Sequence, residues 1–363
     1  ATQGAFATDD EKRALYAAAL LHDVSHIPFG HTFEDERHIF PRHDEPARFD
    51  AFLRQGELGA VLQRLGLTNA VLDILQGRGR PVLAEIVSGT VCCDLLDYLA
   101  RDTFFCGLSG GYDDRIFRYF RVDPQTDRLY LEAQKDGIIR EDVVSEVVNL
   151  LRLRYFLSER VYFHHSKTSS GAMISRAVEC AVNDGLKLED LFGLRDDTLL
   201  FLLDRKYGRN PAVRTLIDHT LSHRLYKRAF VVTLRGPGGE KKQADLIHAY
   251  HHDRAAREEA ERSLSSKLKL KAGELIVYCP AAKMQLKEAR VPIRVDGGPL
   301  RGLGDLSLPE ISVLTQRHRD LWRFYVFVAP RHADRLREIG ARCETWFQSP
   351  NELPALQSGQ LFL

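Results

Sequence analysis

Six side chains able to bind a metal ion or move a proton fall between positions 22 and 43. They are His22, Asp23, His26, His31, His38 and His43, set among the acids Glu34, Asp35 and Glu45. Neutral imidazole and carboxylate together suit a divalent ion of intermediate hardness such as Mn, Fe or Zn. The competing explanation is structural, because cations complement the exposed carbonyls at a helix C-terminus. That would account for one histidine. A His-Asp pair followed by two more histidines around Pro28-Phe29-Gly30 goes beyond it, and the stretch reads as chemistry.

The elements that must position these groups are partly visible. Thr8-Asp9-Asp10-Glu11 reads as a helix start, with capping oxygens and early acids. Leu15, Ala18, Ala19 and Leu21 carry an apolar helix up to the histidines, and Pro28 is expected to end it, having no amide hydrogen to donate. His22 and Asp23 then belong to the last turns, with His26 and His31 in or beyond the turn that follows. A second polar stretch, Val87 to Asp102, sets Asp94, Asp97, Tyr98 and Arg101 three or four residues apart in an otherwise apolar helix. That spacing lets them share one face. Taken alone, it fits a salt-bridged surface as well as a site.

At these residues the chain resembles the HD phosphohydrolase superfamily, named for its adjacent His-Asp pair. More narrowly, His22-Asp23-x-x-His26-x-Pro28-Phe29-x-His31 is similar to the deoxynucleotide triphosphohydrolases of that superfamily. The family's second helix reads Asp-x-x-Asp-Tyr-x-x-Arg-Asp. The resemblance implies that Asp94 closes a metal site begun by His22 and Asp23, and that Tyr98 and Asp102 line a nucleotide pocket. A third segment of the family places an arginine eight residues before a tyrosine, with a histidine two later and a methionine further on. Arg154, Tyr162, His164 and Met173 match, which makes Arg154 the expected phosphate holder, with the bidentate reach that suits phosphate oxygens. Glu34 and His43 match the family's orienting carboxylate and histidine, although the acid more familiar there is Asp. His26 and His31 are the candidates for proton transfer or for steadying the leaving group, since imidazole titrates near neutral pH. Two positions depart from the family: Leu95 stands where its animal enzyme has a lysine, and Phe163 where it has a glutamine.

The remainder of the chain sets the frame. At 363 residues it can bury one large domain or a domain with an appended lobe. The net charge of +1 draws it neither to nucleic acid nor to an anionic membrane, and no apolar run approaches the ~20 residues of a spanning helix. Residues Ala1 to Glu11 do not read as a signal peptide. The six cysteines have no C-x-x-C spacing and read as thiols of a reducing cytoplasm. Asp44 to Gly77 is patterned as helix, Gly77 to Pro81 as a loop with solvated arginines, and Val122 to Glu132 as a hairpin. The aromatic and basic run Tyr112 to Val122 could stack on bases, but inward packing is the simpler account. Two long helices are expected from Ile139 to Asp184 and a helical block from Leu186 to Leu225. Beyond it come short strands at Ala229 to Leu234, Leu275 to Cys279, Val291 to Val295 and Phe324 to Val328. A charged helix is expected from Asp245 to Lys267, and another from Asp334 to Ile339.

The expectation is therefore a mainly α protein: a helical HD domain over residues 1–226 and a smaller C-terminal α+β lobe over 227–363. Its expected work is metal-dependent cleavage of a dNTP to deoxynucleoside and tripolyphosphate, with a divalent ion (Mn, Fe, Zn or Mg) as cofactor and a homo-oligomer as the working form. The alternatives are an HD phosphohydrolase or phosphodiesterase for another nucleotide or phosphoester, and a non-catalytic nucleotide-binding regulator. The family takes a further metal ligand from a histidine well upstream of the His-Asp pair. None of residues 1–21 is a histidine, so that ligand is expected from a segment preceding this sequence.

Overall fold

The computed structural model describes residues 6–282, 286–295, 298–306 and 308–358. The protein is mainly α-helical with small sheets, as expected from the sequence. It divides into two compact units, each built from several stretches of chain: residues 1–25, 43–161 and 285–318 in the first, and 26–42, 162–284 and 319–363 in the second.

In the first unit the helix Asp9–Leu21 opens with the expected cap. Thr8 Oγ1 accepts from the Glu11 amide at 3.2 Å, and the Glu11 carboxylate accepts from the Thr8 amide at 2.7 Å. Its buried face, Ala14, Leu15 and Ala18, packs with Phe49, Leu53, Leu72, Val82 and Val87 from the short helices that follow. The helix ends at Leu21, earlier than expected. Six residues separate that end from Pro28, so the turn at His22 to Ser25 breaks the helix and the proline does not. Arg80, expected to be solvated, donates to Asp127 at 2.6 Å and to Glu11 at 3.1 Å. The hairpin Phe120–Val122 with Leu129–Glu132 forms as expected, and Asp127 takes the left-handed turn position at φ 53°. The aromatic run packs in part: Ile116 and Tyr119 are buried, while Phe117 is exposed. The strand Pro292–Arg294 lies parallel to Leu129–Glu132 in this hairpin's sheet, with Leu131 opposite Ile293. It therefore takes no part in the second unit's sheet, although it was expected in the C-terminal lobe.

In the second unit Lys227–Thr233, Arg323–Val328 and Leu275–Tyr278 form an antiparallel sheet with Arg323–Val328 in the middle. The two-residue period of a strand sends alternate side chains to opposite faces. Val231, Ile276, Tyr325 and Phe327 join Phe33, Met173, Leu203 and Leu216 on one side. Phe230, Val232, Val277, Phe324 and Val326 meet Ala260, Leu264, Ile339 and Phe347 on the other. Tyr226, where the composition changes, is buried inside this unit, its hydroxyl donating to the Gly273 carbonyl at 2.9 Å. The expected charged helix from Asp245 to Lys267 is interrupted: Gly239–Leu246 passes into a π-helical turn, Ile247–His252, before Asp253 caps Arg254–Leu268.

Candidate metal and nucleotide site

His22 is the residue at the end of the helix Asp9–Leu21. Its Nδ1–H donates to the Ala19 carbonyl at 2.8 Å, using one of the carbonyls left over at a helix end. This bond fixes the ring and sets its tautomer, as backbone carbonyls do for metal-binding histidines. The other nitrogen, Nε2, lies 3.2 Å from Asp94 Oδ1 and 3.4 Å from Asp23 Oδ2. One ligand atom from each of the three residues lies within 4.8 Å of the others.

This arrangement fits a metal ion. His22 Nε2 is buried and its alignment with the carboxylates does not make a hydrogen bond. With hydrogen on Nδ1, Nε2 presents a lone pair to two carboxylate oxygens, which is repulsive unless positive charge stands between them. A proton answers that need, and the close Asp94 carboxylate pushes the His22 pKa up to about 9. A divalent cation answers it as well, and one nitrogen with two oxygens is a donor set for ions of intermediate to hard character.

Asp94 is delivered by the helix Cys93–Phe105, in whose first turn an acid is favoured. On that helix Asp94, Tyr98 and Asp102 recur every four residues as a half-buried stripe, while Leu95, Leu96, Leu99 and Thr103 are buried. Asp97 and Arg101 pair with each other on the exposed side, so for those two the surface reading is the observed one. Leu95, the departure from the family's lysine, points into the core and is 4% exposed. Arg154, in the last turn of Glu141–Leu157, sets its guanidinium carbon 5.2 Å from the Tyr98 ring centroid, within cation–π range. The first unit thus assembles His22, Asp23, Asp94, Tyr98 and Arg154 from two helices and the turn that follows Asp9–Leu21. It also holds His43, which is buried and whose carbonyl accepts from Ser25 Oγ at 2.8 Å.

The other expected site residues belong to the second unit. Phe29 and Gly30 both have left-handed backbone, φ 62° and 53°, and the turn they make brings His31 back toward His26. The two rings meet edge to face at 4.6 Å. His31 Nδ1 lies 3.5 Å from Glu34 Oε2, a carboxylate buried to 1% exposure, and this acid raises the His31 pKa above its ordinary value. His26, His31 and Glu34 offer ligand or proton-transfer atoms within 4.8 Å of one another. Tyr162 ends the π-helical turn Ser158–Tyr162. His164 caps the helix His165–Asn183, its Nδ1 accepting from the Ser166 amide at 3.3 Å. Met173 is fully buried and its sulfur accepts from the Tyr226 amide, a core role.

Sequence reasoning missed a set of buried charges around Arg37, Glu179 and Arg257, and it missed Glu36. The Glu36 carboxylate is buried beside Ser175 Oγ at 3.2 Å and Lys167 Nζ at 3.6 Å. A Cβ on Gly171 would stand 2.5 Å from Glu36 Oε1. The small residues Gly171 and Ser175, one helical turn apart, were the available signal.

A helical core that offers an adjacent His-Asp pair to an aspartate of a later helix defines the HD class of metal-dependent hydrolases. The HD domain family matches residues 4–102, and the HD associated region matches residues 128–344, more than half of the chain. The chain belongs to the HD-domain phosphohydrolases, and its likeness within them is to the dNTPases. The uncharacterized protein YwfO of Bacillus subtilis is 30% identical over 178 residues, covering 48% of this chain and 38% of that protein. The deoxynucleoside triphosphate triphosphohydrolase SAMHD1 of Danio rerio is 27% identical over 210 residues, covering 47% of this chain and 32% of that enzyme. The matches thus span less than two-fifths of the length of these relatives. A phosphohydrolase from Bacteroides thetaiotaomicron shares the fold with a TM-score of 0.62 at 20% identity, over 90% of this chain and 81% of its own.

Proposed function

We propose that this protein hydrolyses deoxynucleoside triphosphates to deoxynucleoside and tripolyphosphate, with a divalent ion held by His22, Asp23 and Asp94. The observation that carries the reading is the His22 ring, bonded through Nδ1 to Ala19 with Nε2 directed at two carboxylates. When bound, the ion would supply Lewis acidity to a phosphoryl oxygen. The chain's own residues do the rest. Arg154 holds phosphate oxygens through its planar guanidinium, and Tyr98 keeps that guanidinium oriented by stacking beneath it. Asp102, on the same stripe, and Tyr162 and His164 contact the nucleotide. Glu34 holds His31 by Nδ1, which favours the protonated ring and leaves Nε2 to pass a proton to the departing oxygen. His26 is the second candidate for proton transfer or for steadying the leaving group, and His43 is the orienting histidine that the family resemblance implies. The similarity to SAMHD1 supports a nucleotide substrate. We further propose a homo-oligomer as the working form, and the cytoplasm as its place; six unbridged cysteines support the second of these.

The test is incubation with a panel of nucleotides plus Mn or Mg, with products separated by chromatography. Tripolyphosphate as the first product is expected from dNTPs. Orthophosphate or pyrophosphate as the first product would favour the second reading, an HD phosphohydrolase or phosphodiesterase for another nucleotide or phosphoester. Leu95 and Phe163 are the observations on that side, since one is buried and the other packs on the second unit's core, so neither supplies a polar contact to phosphate. Nucleotide binding without turnover or bound metal would leave a regulator.

A further inference from the structure

Of the histidines between positions 22 and 43, His38 is the one the site leaves unused. It stands just beyond the π-helical turn Thr32–Glu36, with left-handed backbone at φ 50°, a conformation that non-glycine residues adopt at a cost and that clusters at functional places. Its ring meets His251 and His252 from the π-helical turn Ile247–His252, an element that also recurs at functional sites. His38 Nε2 is 2.7 Å from His251 Nε2, and the His38 and His252 rings stack with centroids 6.3 Å apart. One ring nitrogen from each of the three histidines lies within 4.8 Å of the others.

The cluster is built rather than incidental. His251 is 2% exposed, and its Nδ1–H donates to the Cys279 carbonyl at 2.9 Å, which leaves Nε2 as an acceptor directed at His38. A backbone carbonyl behind the ring is the usual means of orienting a metal-binding histidine. His38 and His252 are exposed, so the group opens to solvent on one side. Behind it, the buried Arg257 guanidinium donates to the carbonyl of Arg37 at 3.3 Å and of Tyr250 at 2.9 Å. One side chain thus ties together the backbones that present His38 and His251. The Arg257 charge is met by Glu179 at 3.0 Å.

We propose that His38, His251 and His252 form a second metal site, sharing no residue with the His22–Asp23–Asp94 triad, that takes a zinc-class divalent ion through three imidazole nitrogens with water completing the coordination. Imidazole without carboxylate suits zinc, nickel or copper and disfavours magnesium and manganese. At Zn–N bonds of about 2.0–2.1 Å, two nitrogens on a tetrahedral ion stand roughly 3.3 Å apart. The His38–His251 pair must open by about 0.6 Å, which the exposed His38 ring meets by rotation. In the apo state His38 Nε2–H is the donor to His251 Nε2. On binding, that hydrogen transfers to His38 Nδ1 and no net proton is released. The ion would then pin the end of the segment carrying His31 and Glu34 to the π-helical turn. The inference does not rest on the proposed reaction.

The test uses the full chain stripped with chelator, reloaded with Zn2+ alone, dialysed and counted by mass spectrometry. The variants are His22→Ala/Asp23→Ala and His38→Gln/His252→Gln, with circular dichroism as the check on folding. Both residues of the second variant are exposed, so the fold is expected to survive. The first variant should retain one zinc, and the second should hold one fewer than the wild type. Cobalt in the first variant should give visible ligand-field bands that the added His38→Gln/His252→Gln changes abolish. No zinc in the first variant, or unchanged zinc and cobalt spectra in the second, would overturn the site while leaving the triad untouched.

Discussion

Arg37 and Glu179, 142 residues apart in sequence, form an ion pair buried in the second unit, with Nη2 and Nε at 2.6 and 3.0 Å from Glu179 Oε2. The other Glu179 oxygen accepts from Arg257, and Arg37 Nη1 reaches Glu261 Oε1 at 3.1 Å and the Val277 carbonyl at 3.2 Å. Buried charges are tolerated when each is paired and hydrogen-bonded, and removing one partner leaves the others uncompensated. Glu179→Gln is therefore expected to destabilise the protein by about 3–5 kcal/mol. Chemical denaturation would measure it, and a loss below about 1 kcal/mol would show the network to be dispensable.

Glu36 carries the opposite sign. Burial raises its pKa above the ordinary 4.5, ahead of the lowering influence of Lys167 and Ser175. A raised carboxyl gives stability that is fully present below pH 4.5 and is lost as pH rises through the folded value. Glu36→Gln keeps the side chain's size and an acceptor for Ser175. The wild type should lose stability relative to that variant as pH rises above 4.5, read by thermal melts over a pH series. A flat difference would refute the assignment.

His22→Ala with Asp23→Ala should remove one bound metal ion and abolish hydrolysis while leaving far-UV circular dichroism helical, because the helix Asp9–Leu21 ends before both residues. Mn-dependent turnover at the wild-type rate in this double variant would sink the assignment of the triad.

Arg154→Ala should cost the substrate one charged contact, about 1.5–3 kcal/mol, or roughly 10- to 100-fold in kcat/KM. Tyr98→Leu should weaken the same parameter less, by taking away the ring 5.2 Å from the guanidinium, whereas Tyr98→Phe keeps the ring and should approach the wild type. Equal losses for Leu and Phe would show that the hydroxyl matters and the stacking does not.

What was legible in the sequence is what short-range geometry decides. The Thr8–Glu11 cap, the hairpin turning at Asp127 and the strand Phe324 to Val328 all form where residue types within a few positions require them. The His-Asp pair and the four-residue spacing of Asp94, Tyr98 and Asp102 were legible for the same reason, since a helical period is local. The helix end was misread because Pro28 is a strong local stop, while the break is made at His22, whose ring takes the Ala19 carbonyl. Tertiary structure decided the remainder. Only packing brings Asp94 to His22 and Arg154 over Tyr98, sends Pro292–Arg294 to the first unit's hairpin, and sets His38 against His251, 213 residues away. Arg37, Glu179 and Arg257 look in sequence like ordinary surface charges. Their burial follows from mutual pairing across distant segments, an energy that exists only once the chain has folded.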